Sequence, residues 1–295
     1  MKNIVCFGEV LWDVFPKHKK IGGAPLNVAL LLKSLKNQVS IITRVGRDSD
    51  GKKIVFHIVE HGINTENLQV DDTLKTGEVE VTLDNAGSAT YEIKQPRAWD
   101  NIQLTEEVKL VTEIADVFIY GSLVTRDETS RHTLYKLLKL AKFKIFDVNL
   151  RAPFYTGEIL NHLMREASFI KFNDDEIFEI CKSLNFDSMS LEENIKFIAK
   201  HTYTKTICVT KGGDGAILYL DNAFYYNAGY KVNVVDTVGA GDSFLATLIN
   251  KLLKNAAPQE AIDYACAVGA IVAGSEGANP EIKQEDIGKF ISSGY

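Results

Sequence analysis

The residues best suited to chemistry lie late in the chain, in the segment DTVGAGD at positions 236–242. Gly239 and Gly241 allow the backbone to approach a ligand closely. The segment leads directly into an amphipathic helix, whose first N–H groups and dipole favour an anion. Asp242 enters that same turn. It either stabilises the helix N-terminus or acts as a base that takes a proton from a hydroxyl attacking a phosphoryl group.

Two other motifs match known patterns and fail. Residues 46–53, GRDSDGKK, approach a P-loop, but Lys53 stands where a magnesium-binding hydroxyl belongs, and acids would lie inside the phosphate cradle. We interpret this segment as a strand-to-helix loop whose acids favour the start of the next helix. Residues 57–61, HIVEH, match a zinc-protease pattern, but Gly62 ends the helix at once. A solvated helix face is the better interpretation, and we expect no zinc.

The elements that must position these residues alternate along the chain. The strands predicted from apolar runs are 4–8, 40–45, 117–120, 144–148, 169–172, 205–210 and 216–220. The helices predicted from apolar periodicity are 26–35, 52–61, 131–141, 175–184, 191–201, 241–254 and 258–273. Strands that alternate with helices predict an α/β fold with a mostly parallel, doubly wound sheet covered on both faces.

One segment departs from this alternation. Residues 78–83 and 89–94 alternate apolar and polar side chains around DNAG at 84–87, which predicts a β-hairpin. A hairpin inserted into a parallel α/β chain is suited to cover an active site. We therefore predict a single domain, 1–295, with a small β lid contributed by about 12–23 and 76–101.

Composition excludes several classes of protein. Acids outnumber bases 39 to 33 in the 295 residues, so the net charge of −6 gives no footprint for nucleic acid or an anionic membrane. No apolar run approaches the ~18 residues of a membrane span, and Glu9 and Asp13 interrupt the apolar N-terminus, which argues against a signal peptide. We expect a soluble, cytoplasmic protein. The four widely spaced cysteines predict buried free thiols.

Two signatures decide between the roles of Asp242. DTVGAGDSF at 236–244 closely resembles the C-terminal signature of the ribokinase/PfkB carbohydrate kinases, and GGAPLNVA at 22–29 resembles their N-terminal signature. Weaker matches follow in family order and extend the resemblance over essentially the whole chain: GEVLWD at 8–13, RVGRDSDG at 44–51, KFNDDE at 171–176 and TKGGDG at 210–215. The resemblance implies a ribokinase-like three-layer sheet with a small β lid, and ATP-dependent phosphoryl transfer.

The resemblance also implies a role for each matching position. The implied catalytic groups are the base Asp242 and the backbone amides of Gly239, Ala240 and Gly241. The implied contacts to sugar hydroxyls are Asp13, Gly23 and Asn27. Magnesium and phosphate are implied for Asn173 and Glu176, and the nucleotide for Thr210, Gly212, Gly215 and Asn279. Asp236 and the Val238 carbonyl resemble a monovalent-cation position, so potassium is expected there.

Several of these residues have structural alternatives. Asp13 is also suited to cap a turn, and Gly23 to form a turn before the proline at a helix start. Asn27 lies inside a predicted helix, where asparagine is a poor former, which favours a hydrogen-bonding duty. Asn173 and Glu176 are also the residues of a helix cap and a first-turn acid.

The choice of sugar depends on fewer residues. Ala24 and Pro25 after the paired glycines look more like bacterial fructokinases than ribokinases. DVNLR at 147–151 resembles a segment common in fructokinases and 2-keto-3-deoxygluconate kinases, although Val148 replaces the usual proline. Arg151 is suited to bind a phosphate oxygen, a sugar carboxylate or a surface partner. Trp99, after the lid, either packs over the sugar or holds the lid to the core.

The predicted activity is ATP- and magnesium-dependent transfer of the γ-phosphoryl group to a primary hydroxyl of a small sugar. Fructose, giving fructose 6-phosphate, is favoured over 2-keto-3-deoxygluconate, ribose or a nucleoside. A non-catalytic sugar- or nucleotide-binding protein is the alternative outside this class. Unpaired strand edges in the lid predict a homodimer formed through it.

Overall fold

The computed structural model describes residues 1–83 and 89–292. Its strands are β1 (Asn3–Phe7), β2 (Leu11–Val14), β3 (Lys19–Gly22), β4 (Gln38–Gly46), β5 (Leu68–Asp71), β6 (Gly77–Leu83), β7 (Ala89–Ile93), β8 (Val117–Gly121), β9 (Lys144–Asp147), β10 (Phe169–Asn173), β11 (Thr206–Thr210), β12 (Ala216–Leu220) and β13 (Ala223–Asn227). Its α-helices are α1 (Ala24–Ser34), α2 (Ser49–Glu60), α3 (Glu106–Ile114), α4 (Glu128–Leu138), α5 (Gly157–Glu166), α6 (Asp174–Ser183), α7 (Leu191–Thr202), α8 (Ala240–Leu253), α9 (Pro258–Ala273) and α10 (Gln284–Ser292).

The main sheet has nine strands in the order β13-β12-β11-β10-β9-β8-β1-β4-β5. The pairs β9–β10, β10–β11, β1–β4 and β4–β5 are parallel, while β12 and β13 are added antiparallel at one edge. The predicted α/β class and mostly parallel sheet are therefore confirmed. All strands and helices predicted from the sequence are present. The strands β2 and β3 lie in the segment of about 12–23 that was predicted to contribute to the lid. The short strands β5 and β13 and the helices α3, α5 and α10 were not anticipated.

A second sheet has four strands in the order β3-β2-β6-β7. Leu11, Val79 and Val81 form its buried apolar cluster, against which Phe15 and Ile93 pack. The paired β6 and β7 match the predicted hairpin, and the predicted turn at 84–87 lies outside the described residues.

The chain groups into two compact units. The first, here called the N-terminal unit, comprises mainly residues 3–118 and 123–142; the second, the C-terminal unit, comprises residues 119–122 and the chain from Phe143 onward. Strand β8 contributes residues to both. The single-domain assignment stays a prediction.

Local signals explain the start of α2 and remove the apparent P-loop. Asp48 is the N-cap of α2, and its carboxylate accepts hydrogen bonds from the Gly51 N–H at 2.7 Å and the Thr76 N–H at 2.9 Å. A β-carbon on Gly51 would lie 2.3 Å from the Gly46 carbonyl oxygen, so the loop packs on itself and leaves no phosphate cradle. The interpretation as a strand-to-helix loop is confirmed.

Two further expectations concern the cysteines and membrane-spanning helices. All four cysteines are free and buried, as predicted. Among the described residues, no helix combines the length and the apolar character that a bilayer crossing requires.

Candidate active site

The carboxyl ends of β9, β10 and β11 bring polar residues together in the C-terminal unit. Asp147 pairs with Lys171 in the register of β9 and β10, and Asn173 pairs with Thr210 in the register of β10 and β11. Ligands of open α/β sheets bind outside this edge, beyond the carboxyl ends of parallel strands. The predicted nucleotide and magnesium residues on these strands therefore share the edge where a ligand is expected.

Asn173 and Glu176 form a capping box at the start of α6. The Asn173 side chain accepts the Glu176 N–H at 2.8 Å, and Glu176 Oε2 accepts the Asn173 N–H at 2.7 Å. Glu176 Oε1 accepts the Leu150 N–H at 2.8 Å. Burial raises the pKa of Glu176, an effect that the nearby Lys171 ammonium and the backbone hydrogen bonds only partly offset. The helix-cap alternative therefore describes the geometry, and it leaves lone pairs on both carboxylate oxygens.

The glycine-rich turn that precedes α8 has the geometry of an anion site. Gly239 has a positive φ of 78°, and a β-carbon there would lie 2.5 Å from the β-carbon of Ala278. The Ala240 N–H bonds back to the Thr237 carbonyl at 3.2 Å. Within residues 1–83 and 89–292, the N–H groups of Gly239 and Gly241 have no hydrogen-bond acceptor. Of the three predicted amides, these two are therefore available to a ligand.

Asp242 lies in the first turn of α8 and is half-buried. A carboxylate at this place is stabilised by the helix dipole, and its residue belongs to the same turn as the two available N–H groups. The arrangement combines donors for a developing negative charge with an acceptor for a proton.

The predicted cation residue Asp236 organises the chain before this turn. Its Oδ1 accepts the Val238 N–H at 3.0 Å, and its Oδ2 accepts the Gly277 N–H at 3.3 Å. The side chain thereby connects the segment before α8 to the loop that follows α9. Asn279, on that loop, is exposed.

The predicted nucleotide turn follows β11. Gly215 has a positive φ of 81°, and a β-carbon there would lie 2.1 Å from the Asn227 carbonyl oxygen. Gly212 also has a positive φ, of 54°, but faces open space. Thr210 donates its hydroxyl to the Phe172 carbonyl at 3.3 Å. Packing thus requires a glycine at 215, while 212 leaves room for a neighbouring ligand.

Arg151 is exposed, and its Nη1 donates a local hydrogen bond to the Leu150 carbonyl at 2.8 Å. Nearby, the Tyr155 hydroxyl donates to Glu179 at 2.6 Å, which together with partial burial raises the pKa of Tyr155 to about 12. The guanidinium of Arg151 is therefore not committed to an ion pair within the described residues.

The predicted sugar residues lie in the N-terminal unit, around the junctions of β2, β3 and α1. Asp13 is on β2, and its carboxylate lies against Gly22, where a β-carbon would come within 2.4 Å of Oδ2. Asn27 is buried in the first turn of α1. Gly23 has a positive φ of 112°, and a β-carbon there would lie 2.5 Å from the Glu9 carbonyl oxygen. The turn and its close backbone contact account for Gly23 without a sugar.

Trp99 is completely buried, at 0% exposure. The guanidinium carbon of Arg126 lies 3.8 Å above its ring. The geometry favours the second of its two predicted roles, that of holding the lid segment to the core.

The sequence model of the family described as pfkB family carbohydrate kinase matches residues 1–285. The chain belongs to the PfkB family of carbohydrate kinases. The resemblance inferred from the two signatures is thereby confirmed.

One sequence relative and two structural neighbours are named fructokinases. A fructokinase of Solanum tuberosum is 28% identical over 306 residues, which cover 96% of this chain and 93% of that protein. The structure of a Xylella fastidiosa fructokinase with bound ATP has a TM-score of 0.85 at 21% identity and covers 99% of this chain and 98% of its own. A double mutant of the Vibrio cholerae O395 fructokinase, with fructose, ADP and potassium ion bound, has a TM-score of 0.83 at 22% identity, with 99% and 98% covered. These two structures confirm the fold.

Sequence reasoning about this PfkB kinase missed one feature of the site. Lys171 and Asp147 were not predicted as site residues, although the two form a buried ion pair with 3.0 Å between Nζ and Oδ1. A signal was present in each strand, since a lysine in FIKFN and an aspartate in KIFD interrupt apolar runs. Only the register of β9 against β10 shows that they meet.

The histidine motif lies elsewhere in this PfkB kinase, on α2 of the N-terminal unit. His57, Glu60 and His61 have ligand atoms within 4.8 Å of one another, and His61 Nδ1 lies 2.8 Å from the His57 carbonyl oxygen. The three side chains do share one helix face, as the spacing predicts. The expectation that they bind no zinc stays a prediction.

Proposed function

We propose that this carbohydrate kinase transfers the γ-phosphoryl group of ATP to a primary hydroxyl of a small sugar, with fructose as the favoured acceptor. The observation that carries the proposal is the start of α8, where the available N–H groups of Gly239 and Gly241 belong to the same turn as Asp242. Donors for a developing negative charge and a neighbouring base are what hydroxyl phosphorylation requires.

The proposed reaction uses Asp242 as the base that takes the acceptor hydroxyl proton. The N–H groups at the start of α8 hold the charge that develops on the transferring phosphoryl oxygens, supported by the helix dipole. Asp13 and Asn27 are assigned to the sugar hydroxyls, as the family resemblance implies. Exclusion of water, whose attack on ATP competes with transfer, is the role assigned to the lid.

A magnesium ion fits the residues at the start of α6. Magnesium prefers oxygen ligands and keeps several of its waters. Both Glu176 oxygens already accept backbone N–H groups, so they suit hydrogen bonds to waters of the ion better than direct ligation. When bound with ATP, the ion neutralises phosphate charge. A potassium ion near Asp236 and the Val238 carbonyl is supported by the potassium ion reported for the Vibrio cholerae fructokinase.

Fructose is supported by sequence and by relatives. Ala24 and Pro25 begin α1, immediately before the buried Asn27. The potato relative and both structural neighbours named above are fructokinases. These similarities, at 28% identity or less, favour fructose over 2-keto-3-deoxygluconate, ribose or a nucleoside. The substrate assay described next distinguishes these acceptors.

A coupled ADP-release assay with ATP, magnesium and potassium tests the proposal across fructose, ribose, 2-keto-3-deoxygluconate, glucose and adenosine. We expect the highest kcat/KM on fructose. Asp242→Asn should lower kcat at least ~100-fold while ADP binding, measured by calorimetry, is retained. Glu158→Gln is the matched control, because Glu158 is likewise a first-turn acid, in α5, and has no role in the proposed reaction.

Other outcomes redirect the assignment. Turnover on the keto-acid alone would replace fructose and make exposed Arg151 the residue to test for the sugar carboxylate. Near-normal turnover of Asp242→Asn would contradict the assigned base. ATP binding without turnover on any of these acceptors would point first to an untested sugar and second to a non-catalytic binding protein. The homodimer through the lid stays a prediction, which a monomeric mass in light scattering would contradict.

A further inference from the structure

Lys171 and Asp147 form a buried ion pair at the carboxyl ends of two neighbouring parallel strands. Their side chains are 8% and 6% exposed, and Nζ lies 3.0 Å from Oδ1. Removing two charges from water carries a large desolvation cost, and apolar residues of similar volume often stabilise such a site better. A purely structural explanation for the pair is therefore weak.

The pair is also incompletely satisfied. A lysine ammonium has three N–H donors, and Lys171 uses one of them, toward Asp147, among the described residues. Asp147 Oδ2 is buried and accepts no hydrogen bond there. Buried polar atoms that lack partners in a native protein call for a ligand or water. The remaining donors of Lys171 thus indicate that an anion belongs beside it.

The Lys171 ammonium lies close to the anion site at the start of α8. A β-carbon on Gly241 would lie 3.5 Å from Lys171 Nζ, so the ammonium reaches the first turn of α8, where the Gly241 N–H is available. Lysine ordinarily carries a positive charge at neutral pH, and this ammonium is paired with the Asp147 carboxylate. A positive charge therefore stands at the helix end that favours an anion.

We propose that Lys171 is a catalytic residue whose ammonium contacts the transferring phosphoryl group, and that Asp147 is the positioning residue that holds it there. The inference rests on the phosphoryl transfer proposed above. In this arrangement Lys171, on strand β10, supplies a full positive charge beside the N-terminus of α8.

The proposed step is a direct transfer of the γ-phosphoryl group from ATP to the sugar hydroxyl. The bond between the γ-phosphorus and the bridging oxygen of ADP breaks while the bond from the sugar hydroxyl oxygen to that phosphorus forms. The hydroxyl proton goes to the Asp242 carboxylate, and ADP leaves with the electron pair of the broken bond. Lys171 gives up no proton in this step. Its charge stabilises the equatorial phosphoryl oxygens, where negative charge is held during transfer.

The test compares Lys171→Met, Asp147→Leu and the double variant with the wild type, in kcat, KM for ATP and unfolding midpoint. Lys144→Met is the matched control, because Lys144 pairs with Glu166 at the same distance of 3.0 Å but at the opposite end of β9. We expect Lys171→Met to lower kcat at least ~100-fold with KM for ATP changed less than ~5-fold, the loss typical of a donor to a developing charge. Lys144→Met should keep kcat within ~2-fold.

The double variant separates catalysis from stability. Each single variant leaves one buried charge uncompensated and should lower the unfolding midpoint, whereas the double variant removes both charges and should recover it. If the role is catalytic, kcat stays at least ~100-fold low in the recovered protein. Full turnover in the double variant, or in Lys171→Met, would overturn this inference while leaving the sugar kinase assignment standing. A wild type that phosphorylates none of the acceptors would overturn both.

Discussion

Arg126 is buried in the N-terminal unit and offers a quantitative test of the forces that hold the lid segment. Its Nε and one terminal nitrogen donate to the two carboxylate oxygens of Asp100, each at 2.7 Å, and the same nitrogen donates to the Lys94 carbonyl at 2.8 Å. The side chains of Arg126 and Asp100 are 1% and 2% exposed. Lys94 directly follows β7, so this guanidinium anchors the end of the lid hairpin to Asp100 and Trp99.

The change we consider is Arg126→Met, which keeps an apolar stem against Trp99 and removes the charge and the donors. Breaking a buried ion pair by removing one partner costs roughly 3–5 kcal/mol, because the other charge stays buried. Loss of the donor to the Lys94 carbonyl adds about 1 kcal/mol. The free energy of unfolding should therefore fall by about 4–6 kcal/mol, with the largest increase in hydrogen exchange at the lid strands.

Urea unfolding followed by fluorescence and circular dichroism measures this loss. Arg47→Met is the control: Arg47 pairs with Asp72, but these side chains are 66% and 71% exposed, and the loss should stay below about 1 kcal/mol. The double variant Arg126→Met/Asp100→Leu should recover much of the stability. If Arg126→Met costs no more than Arg47→Met, the reasoning from burial is wrong.

Two further predictions concern the turns. Burial raises the pKa of Asp48, but hydrogen bonds from Thr76 and Gly51 lower it more. This carboxylate therefore stabilises the fold at neutral pH, and its contribution disappears as pH falls through its lowered pKa. Asp48→Asn should lower the free energy of unfolding by about 1–2 kcal/mol in urea at pH 7, and a difference that persists undiminished at pH 2 would contradict the argument. Gly239→Ala would place a methyl group against Ala278 at a φ of 78°, and it should lower kcat more than ~10-fold. Gly157→Ala is the control, because a β-carbon there meets nothing within 4 Å, and it should leave kcat unchanged.

Short-range patterns were read correctly from the sequence because neighbouring residues determine them. The DTVGAGD turn before α8, the paired strands β6 and β7 and the cap at Asn173 depend on contacts within a few residues, and each is present. The strand β5 was missed because four residues show too little periodicity to separate a strand from a loop.

The sequence by itself therefore determined the α/β class, the family and the residues at the start of α8, since motif spacing and local backbone preference carry that information. Only the tertiary structure decided what surrounds them. Lys171 meets Asp147, 24 residues away, because β9 and β10 are neighbours in register. Trp99 is buried, and Arg126, 27 residues later in the chain, lies against a face of its ring. Burial and long-range pairing depend on which elements become neighbours, and no local segment of the sequence contains that choice.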